Sequence, residues 1–161
     1  MIKIIGIDPG LADTGIGIIH GRDEAVAGYS YGHISTSKAD PLPCRLDRIY
    51  SVITDLLASE KPDLMVLEDV FSLKAYPLSG ITLGQVTGVI LLAGQRAGIS
   101  VVRIPVREVK QVMTGNGNAG KQQLAEAIRR ILEHEGAIRP DHASDALALA
   151  LVGMMRYDRL S

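Results

Sequence analysis

Asp8 closes the run Ile2-Lys3-Ile4-Ile5-Gly6-Ile7, and Glu68 closes the run Leu64-Met65-Val66-Leu67. Asp141, His142 and Asp145 crowd the start of a last apolar helix. A buried strand has no structural use for a carboxylate at its tip, because a charge taken out of water without a partner is costly. Several such groups converging on one sheet edge suggest a site for hard divalent cations. Such a site points to phosphoryl-transfer chemistry with metal help.

Those residues need strands and helices to bring them together, and the pattern supplies them. Residues 2 to 7 read as a buried strand ended by Asp8-Pro9-Gly10. Thr14 to Ile19 and Ala25 to Ile34 read as two more strands, turned by His20-Gly21-Arg22-Asp23. Pro41 and Pro43 introduce a helix whose Leu46, Ile49, Tyr50, Ile53, Leu56 and Leu57 follow helical spacing. A strand at 64 to 68 follows, then a loop at 71 to 79 and a long helix from about Gly80 to Ala97. Residues 99 to 104 are a strand, Pro105 opens a short helix to about Val112, and helices follow at about 121 to 133 and 141 to 157. The order predicts an α/β fold, a mixed five-stranded sheet flanked by helices, as a single domain over 1–161. Gly80, Gly84 and Gly88 fall at intervals of four within the long helix. Glycine costs about 1 kcal/mol against alanine inside a helix, so a backbone must pack closely there. The expectation is the chain's own sheet, with a helix-to-helix dimer contact as the alternative.

Composition excludes several classes. Apolar residues make up 47% and charged residues 22%, which reads as globular and soluble. The formal net charge is −1, so any nucleic-acid partner must be held by a local basic patch. The lone Cys44 cannot form an internal disulfide, which suits a reducing, cytoplasmic compartment. The first apolar run is broken at once by Gly6, Asp8, Pro9 and Gly10, so no signal peptide is read. The longest apolar stretch, around Val89 to Ala93, is too short to cross a bilayer, so no membrane partner is expected.

Five segments, in order, carry a family resemblance. Gly6-Ile7-Asp8-Pro9-Gly10 with Thr14-Gly15 resembles the opening of RuvC-type Holliday-junction resolvases, the crossover junction endodeoxyribonucleases. Leu67-Glu68-Asp69-Val70-Phe71 resembles their second motif, and Leu83-Gly84-Gln85-Val86-Thr87-Gly88-Val89 their central helix. Val109-Lys110-Gln111, then Gly115-Asn116-Gly117-Asn118-Ala119-Gly120-Lys121, resembles their loop and basic segment. His142-Ala143-Ser144-Asp145-Ala146-Leu147-Ala148-Leu149-Ala150 resembles the last motif. The resemblance implies an RNase H-like fold, a homodimer, and magnesium-dependent symmetric nicking of four-way DNA junctions in recombination and repair. It also implies a complex with a branch-migration helicase.

Carried over residue by residue, the resemblance makes Asp8, Glu68, His142 and Asp145 the catalytic metal ligands. Taken alone, Asp8-Pro9-Gly10 reads equally well as a turn. Strand alternation sends Asp69 to the face opposite Glu68, where it is solvated or pairs with a cation. Asp13 caps the turn or faces solvent. Asp141 and His142 compete for one ligand position, since each shares a helix face with Asp145. The family pattern selects His142, and Asp141 is otherwise a first-turn residue favoured by the helix dipole. Imidazole suits manganese better than magnesium, so Mn²⁺ is expected to substitute for Mg²⁺. The implied mechanism places two cations about 3.5 to 4 Å apart on the scissile phosphate. Lys110 and Lys121 match the family's DNA-contacting basic positions, with Arg103, Arg107 and Lys74 extending the surface. Arg129 and Arg130 read as solvated helix residues. The loop Gly115-Asn116-Gly117-Asn118 reads as flexible and open to phosphate. Phe71, the chain's one phenylalanine, is either core or an aromatic that stacks on unpaired junction bases.

Other functions remain open at this level. A related nuclease could act on structured RNA. An actin-like or sugar-kinase-like ATP-binding fragment also places Asp and Gly after a first strand, although that architecture needs two such domains. A non-catalytic junction-binding module is disfavoured by the intact set Asp8, Glu68 and Asp145.

Overall fold

A computed structural model describes residues 1–23, 25–69 and 77–157. Phe71 and Lys74 lie outside the described residues. Five strands form one sheet: β1 (Ile2–Asp8), β2 (Asp13–Arg22), β3 (Ala25–Ser35), β4 (Leu64–Asp69) and β5 (Ser100–Pro105). The spatial order is β3-β2-β1-β4-β5. The β1-β2-β3 meander is antiparallel, whereas β4 joins β1 in parallel and β5 joins β4 in parallel. Helices α1 (Leu42–Glu60), α2 (Pro77–Ala97), α3 (Val106–Thr114), α4 (Lys121–Ile131) and α5 (Asp141–Met155) complete the fold. The expected mixed sheet is therefore present. The first hairpin differs in detail: β2 runs through Arg22 with an irregularity at His20/Gly21, so the turn falls later than His20-Gly21-Arg22-Asp23.

Period-two alternation sends the strand side chains into two separate cores. Ile5, Ile7, Ile16, Ile18, Met65 and Leu67 pack with Ile49, Ile53, Leu57, Val86 and Ile90, which places α1 and α2 on one face. Ile4, Ile19, Leu64 and Val66 pack with residues of α3, α4 and α5 on the other. Parallel central strands buried on both faces explain the unbroken apolar runs that marked β1 and β4 in the sequence.

Helix α5 lies against β1 and β2 at backbone distance. A Cβ at Gly6 would strike the backbone of Ala146 and Ala150, one at Gly15 that of His142, and one at Gly17 that of Leu147. These three strand glycines are what lets α5, buried over most of its length, sit low enough to point its first turn at the tip of β1.

The glycines of α2 behave differently from the expectation. Among the described residues nothing lies within 4 Å of a Cβ built at Gly84 or Gly88, so they do not serve packing on the chain's own sheet. Val86, Ile90 and Ala93 make that contact, and the opposite side exposes Leu78, Ile81, Gly84, Gly88 and Leu92. Helix α2 is also long and apolar enough, by length and composition alone, to cross a membrane. An unbroken-run criterion overlooks this because glycine and polar residues interrupt the run. In the fold, its buried side is committed to α1 and the sheet.

The two glycine sets give opposite predictions. Gly6→Ala should destabilise the protein by about 1–3 kcal/mol, the usual range for overpacking. Gly88→Ala should stabilise the isolated protomer by up to about 1 kcal/mol through helix propensity. Urea unfolding at a concentration where the chain is monomeric checks both. Equal effects would contradict the assignment of which glycines are in contact.

Candidate active site

The parallel register pairs Ile7 with Leu67, so the next residues, Asp8 and Glu68, stand beside each other at the strand tips. Ile7 and Leu67 both enter the α1–α2 core. Alternation therefore turns Asp8 and Glu68 to the opposite face, under the start of α5. Asp69 turns back again and pairs with Arg103 at 3.0 Å, as alternation required. Arg103, one of the expected surface cations, is thus ion-paired while remaining partly exposed.

Helix α5 supplies the other side of the site. Its first turn carries His142, whose Nδ1 lies 2.7 Å from Asp8 Oδ2. Asp145 follows one turn along. Asp141 instead accepts a hydrogen bond from Arg139 at 2.8 Å and is mostly exposed. Of the two competing residues, His142 is the one that meets Asp8. The turn after β1 is tied by Thr14, whose hydroxyl donates to the Gly10 carbonyl at 2.7 Å. Asp13 accepts from Ser35 Oγ at 2.5 Å at the solvent-facing edge, away from the cluster.

Three carboxyls drawn together out of water hold their protons tightly. Burial pushes Asp8 up to about 6, against a hydrogen bond from Glu68 that favours its ionised form. Burial first, then the hydrogen bond to Asp8 and the negative charges of Asp8 and Asp145, push Glu68 up to about 8. Burial also raises Asp145, with Lys121 and His142 pulling the other way. Asp8 and Glu68 thus share a proton, with Glu68 as donor. Among the described residues no three His, Cys, Asp or Glu side chains surround one common point. The carboxyls are turned toward each other and His142 toward Asp8. The donor set, three oxygen-bearing acids and one imidazole, has the chemistry of a hard-cation site.

Positive charge borders the acids. Lys121 acts electrostatically on both Asp8 and Asp145, and Lys110 acts on Asp145. Lys121 opens α4, and Lys110 lies on α3. The loop between them is more ordered than its glycines suggest. Gln111 Nε2 donates to the Gly115 carbonyl, and the Gly117 N–H donates to Gln111 Oε1, each at 3.0 Å. The Asn118 N–H donates to Asn116 Oδ1 at 2.9 Å. Side-chain amides thus fix a loop expected to be flexible. Two further departures from expectation lie nearby. Arg129 is half-buried rather than solvated, and its Nε has no hydrogen-bond partner among the described residues. Arg139, not singled out in the sequence, stands at the mouth of the site. A lone arginine before Pro140 carries no pattern that could have marked it.

The proton shared by Asp8 and Glu68 has a consequence for stability. Glu68 keeps its proton up to about 8 in the folded protein, against an ordinary value of 4.5. Between those values the folded state binds more protons than the unfolded one, so stability falls as pH rises. Metal-free protein should lose stability across that window. Glu68→Gln, which cannot ionise, should show a flatter profile and greater stability at pH 8. Thermal unfolding in chelator measures this, and a wild-type profile in the variant would contradict the shared proton.

Comparison with known proteins agrees with this geometry. The family model for crossover junction endodeoxyribonuclease RuvC matches residues 4–153. A protein named crossover junction endodeoxyribonuclease RuvC from Syntrophomonas wolfei subsp. wolfei is 39% identical over 160 residues, 99% of this chain and 92% of that one. The protein of the same name from Brevibacillus brevis is 36% identical over 150 residues, covering 93% of this chain and 90% of its own. Among solved structures, Thermus thermophilus RuvC in complex with Holliday junction substrate superposes with a TM-score of 0.89 at 29% identity, covering 99% of this chain and 96% of that one. The shared fold, a family match over residues 4–153 and a relative 39% identical over nearly the whole chain place it in the RuvC family of crossover junction endodeoxyribonucleases.

Proposed function

We propose that this chain resolves four-way DNA junctions by paired, symmetric nicks made in a homodimer, with divalent cations held by Asp8, Glu68, His142 and Asp145. The observation that carries the hydrolytic part is the convergence of Asp8, Glu68 and Asp145, all with raised proton affinity, beside a histidine 2.7 Å from Asp8. Like charges so placed need a compensating cation, and oxygen donors select a hard one. Magnesium is the expected ion, two per site, with manganese accommodated by the His142 imidazole. Cations bound there would supply Lewis-acid polarisation of the phosphate and activation of a water.

The chain's own groups set the rest of the reaction. Asp8, central to the cluster through Glu68 and His142, would be the main carboxylate holding the cations. Glu68 must release its proton as the ions enter, which ties activity to pH. Lys121 and Lys110 attract the phosphate backbone toward the acids and offset their field. No nucleophilic side chain is required, because water is the attacking group.

Symmetric cleavage of a junction with approximate two-fold symmetry calls for two equivalent sites. The outward stripe of α2 supports the dimer. Leu78, Ile81 and Leu92 expose apolar surface, and Gly84 and Gly88 leave open space at the helix backbone. Small residues spaced by four let two helices approach closely. A branch-migration helicase partner belongs to the same reading, as does stacking of Phe71 on junction bases.

Glu68→Gln preserves shape and weakens the cation site. The variant should bind a four-way junction as a dimer with near wild-type affinity while nicking falls by about a hundredfold or more. In the same assay His142→Ala should cost much more activity than Asp141→Ala. Gel-shift titration, sedimentation and strand-specific nicking in magnesium and manganese give the readouts. Wild-type nicking by Glu68→Gln would overturn the assignment, and a monomer both free and bound would overturn the dimer. Preferential cleavage of an RNA hairpin over a junction would favour the structured-RNA alternative.

A further inference from the structure

Two hollows flank the acidic cluster, and Lys121, Arg139 and Asp141 line both. The first is a cavity of about 330 Å³ whose walls include Lys121, Arg129, Arg139, Ser144 and Asp145. The second is an open depression lined by His33, Lys121, Arg139, Asp141 and His142. Arg139 and Lys121 are the two cations common to both. We propose that Arg139 is a phosphate-positioning residue, which holds a backbone phosphate of the cleaved strand next to the scissile one, with Arg129 lining the hollow behind it. This rests on the junction-nicking reading above.

Three features support it. The Arg139 side chain is 73% exposed, and its partner Asp141 is 57% exposed. An ion pair so open to water contributes little to stability. It orients the guanidinium without consuming it, and a phosphate offering bidentate acceptors can replace Asp141. Arg129 Nε is buried without a partner, a costly state for a cationic group that an anion entering the cavity would relieve. The lining balances Lys121, Arg129 and Arg139 against Glu126, Asp141 and Asp145, and cations held by Asp145 would tip that balance toward a phosphate.

The test uses the full-length protein and a four-way junction with nicking followed at several salt concentrations. Arg139→Gln should raise KM severalfold, leave kcat within about twofold, and lower the slope of log affinity against log salt by about 1, the contribution of one phosphate contact. Arg139→Lys should recover part of the KM loss, since it restores the charge without the fork. Asp141→Asn should shift KM in the opposite direction by freeing Arg139. Unchanged KM and salt slope in Arg139→Gln, with wild-type protein active on the same junction, would overturn this inference alone. Wild-type protein that neither binds nor nicks the junction would overturn the junction reading and this inference with it.

Discussion

The parallel pairing of β1 with β4 forces two carboxyls side by side and out of water. Everything else at the site follows from that constraint. Because Ile7 pairs with Leu67, Asp8 and Glu68 cannot move apart without breaking the centre of the sheet. Water that would screen their repulsion is excluded by α5 above them. Burial raises both groups, and the hydrogen bond to Asp8 and the charges of Asp8 and Asp145 raise Glu68 further. Divalent cations would offset that cost. The fold thus holds an energetic deficit at the tips of β1 and β4.

That arrangement depends on glycine more than on any large core residue. Gly6, Gly15 and Gly17 let the backbone of α5 rest on β1 and β2. With side chains there, α5 would ride higher, and His142 and Asp145 would withdraw from Asp8. The outward glycines of α2 do the converse. They leave a helix backbone open instead of sealing one. The same residue type therefore permits close packing in one element and leaves open surface in another.

The main elements were legible in the sequence because strong signals coincide there. Unbroken apolar runs mark β1 and β4, helical spacing marks α1, and the strand-tip acids stand out against both. Alternation alone placed Asp69 away from Glu68, and the Arg103 pair agrees. What stayed hidden depends on tertiary contact. Helical spacing left Asp141 and His142 equivalent, since both share a face with Asp145; the tertiary contacts distinguish them, His142 meeting Asp8 at 2.7 Å and Asp141 meeting Arg139. Glycine spacing in α2 looked like close packing but faces open space. Glycine-rich sequence at 115–118 looked mobile but is tied by Gln111 and Asn116. The His142–Asp8 contact joins residues far apart in the chain, whereas the loop and Asp141 are fixed by local side-chain hydrogen bonds that residue type alone does not announce.

The central claim is that entering cations displace a proton shared by Asp8 and Glu68. Calorimetric titration of magnesium into metal-free protein at pH 7, repeated in buffers of different ionisation enthalpy, measures that exchange directly. The account predicts buffer-dependent heats equivalent to about one proton released per protomer, and their loss in Glu68→Gln. Heats independent of the buffer, with magnesium still bound, would contradict it.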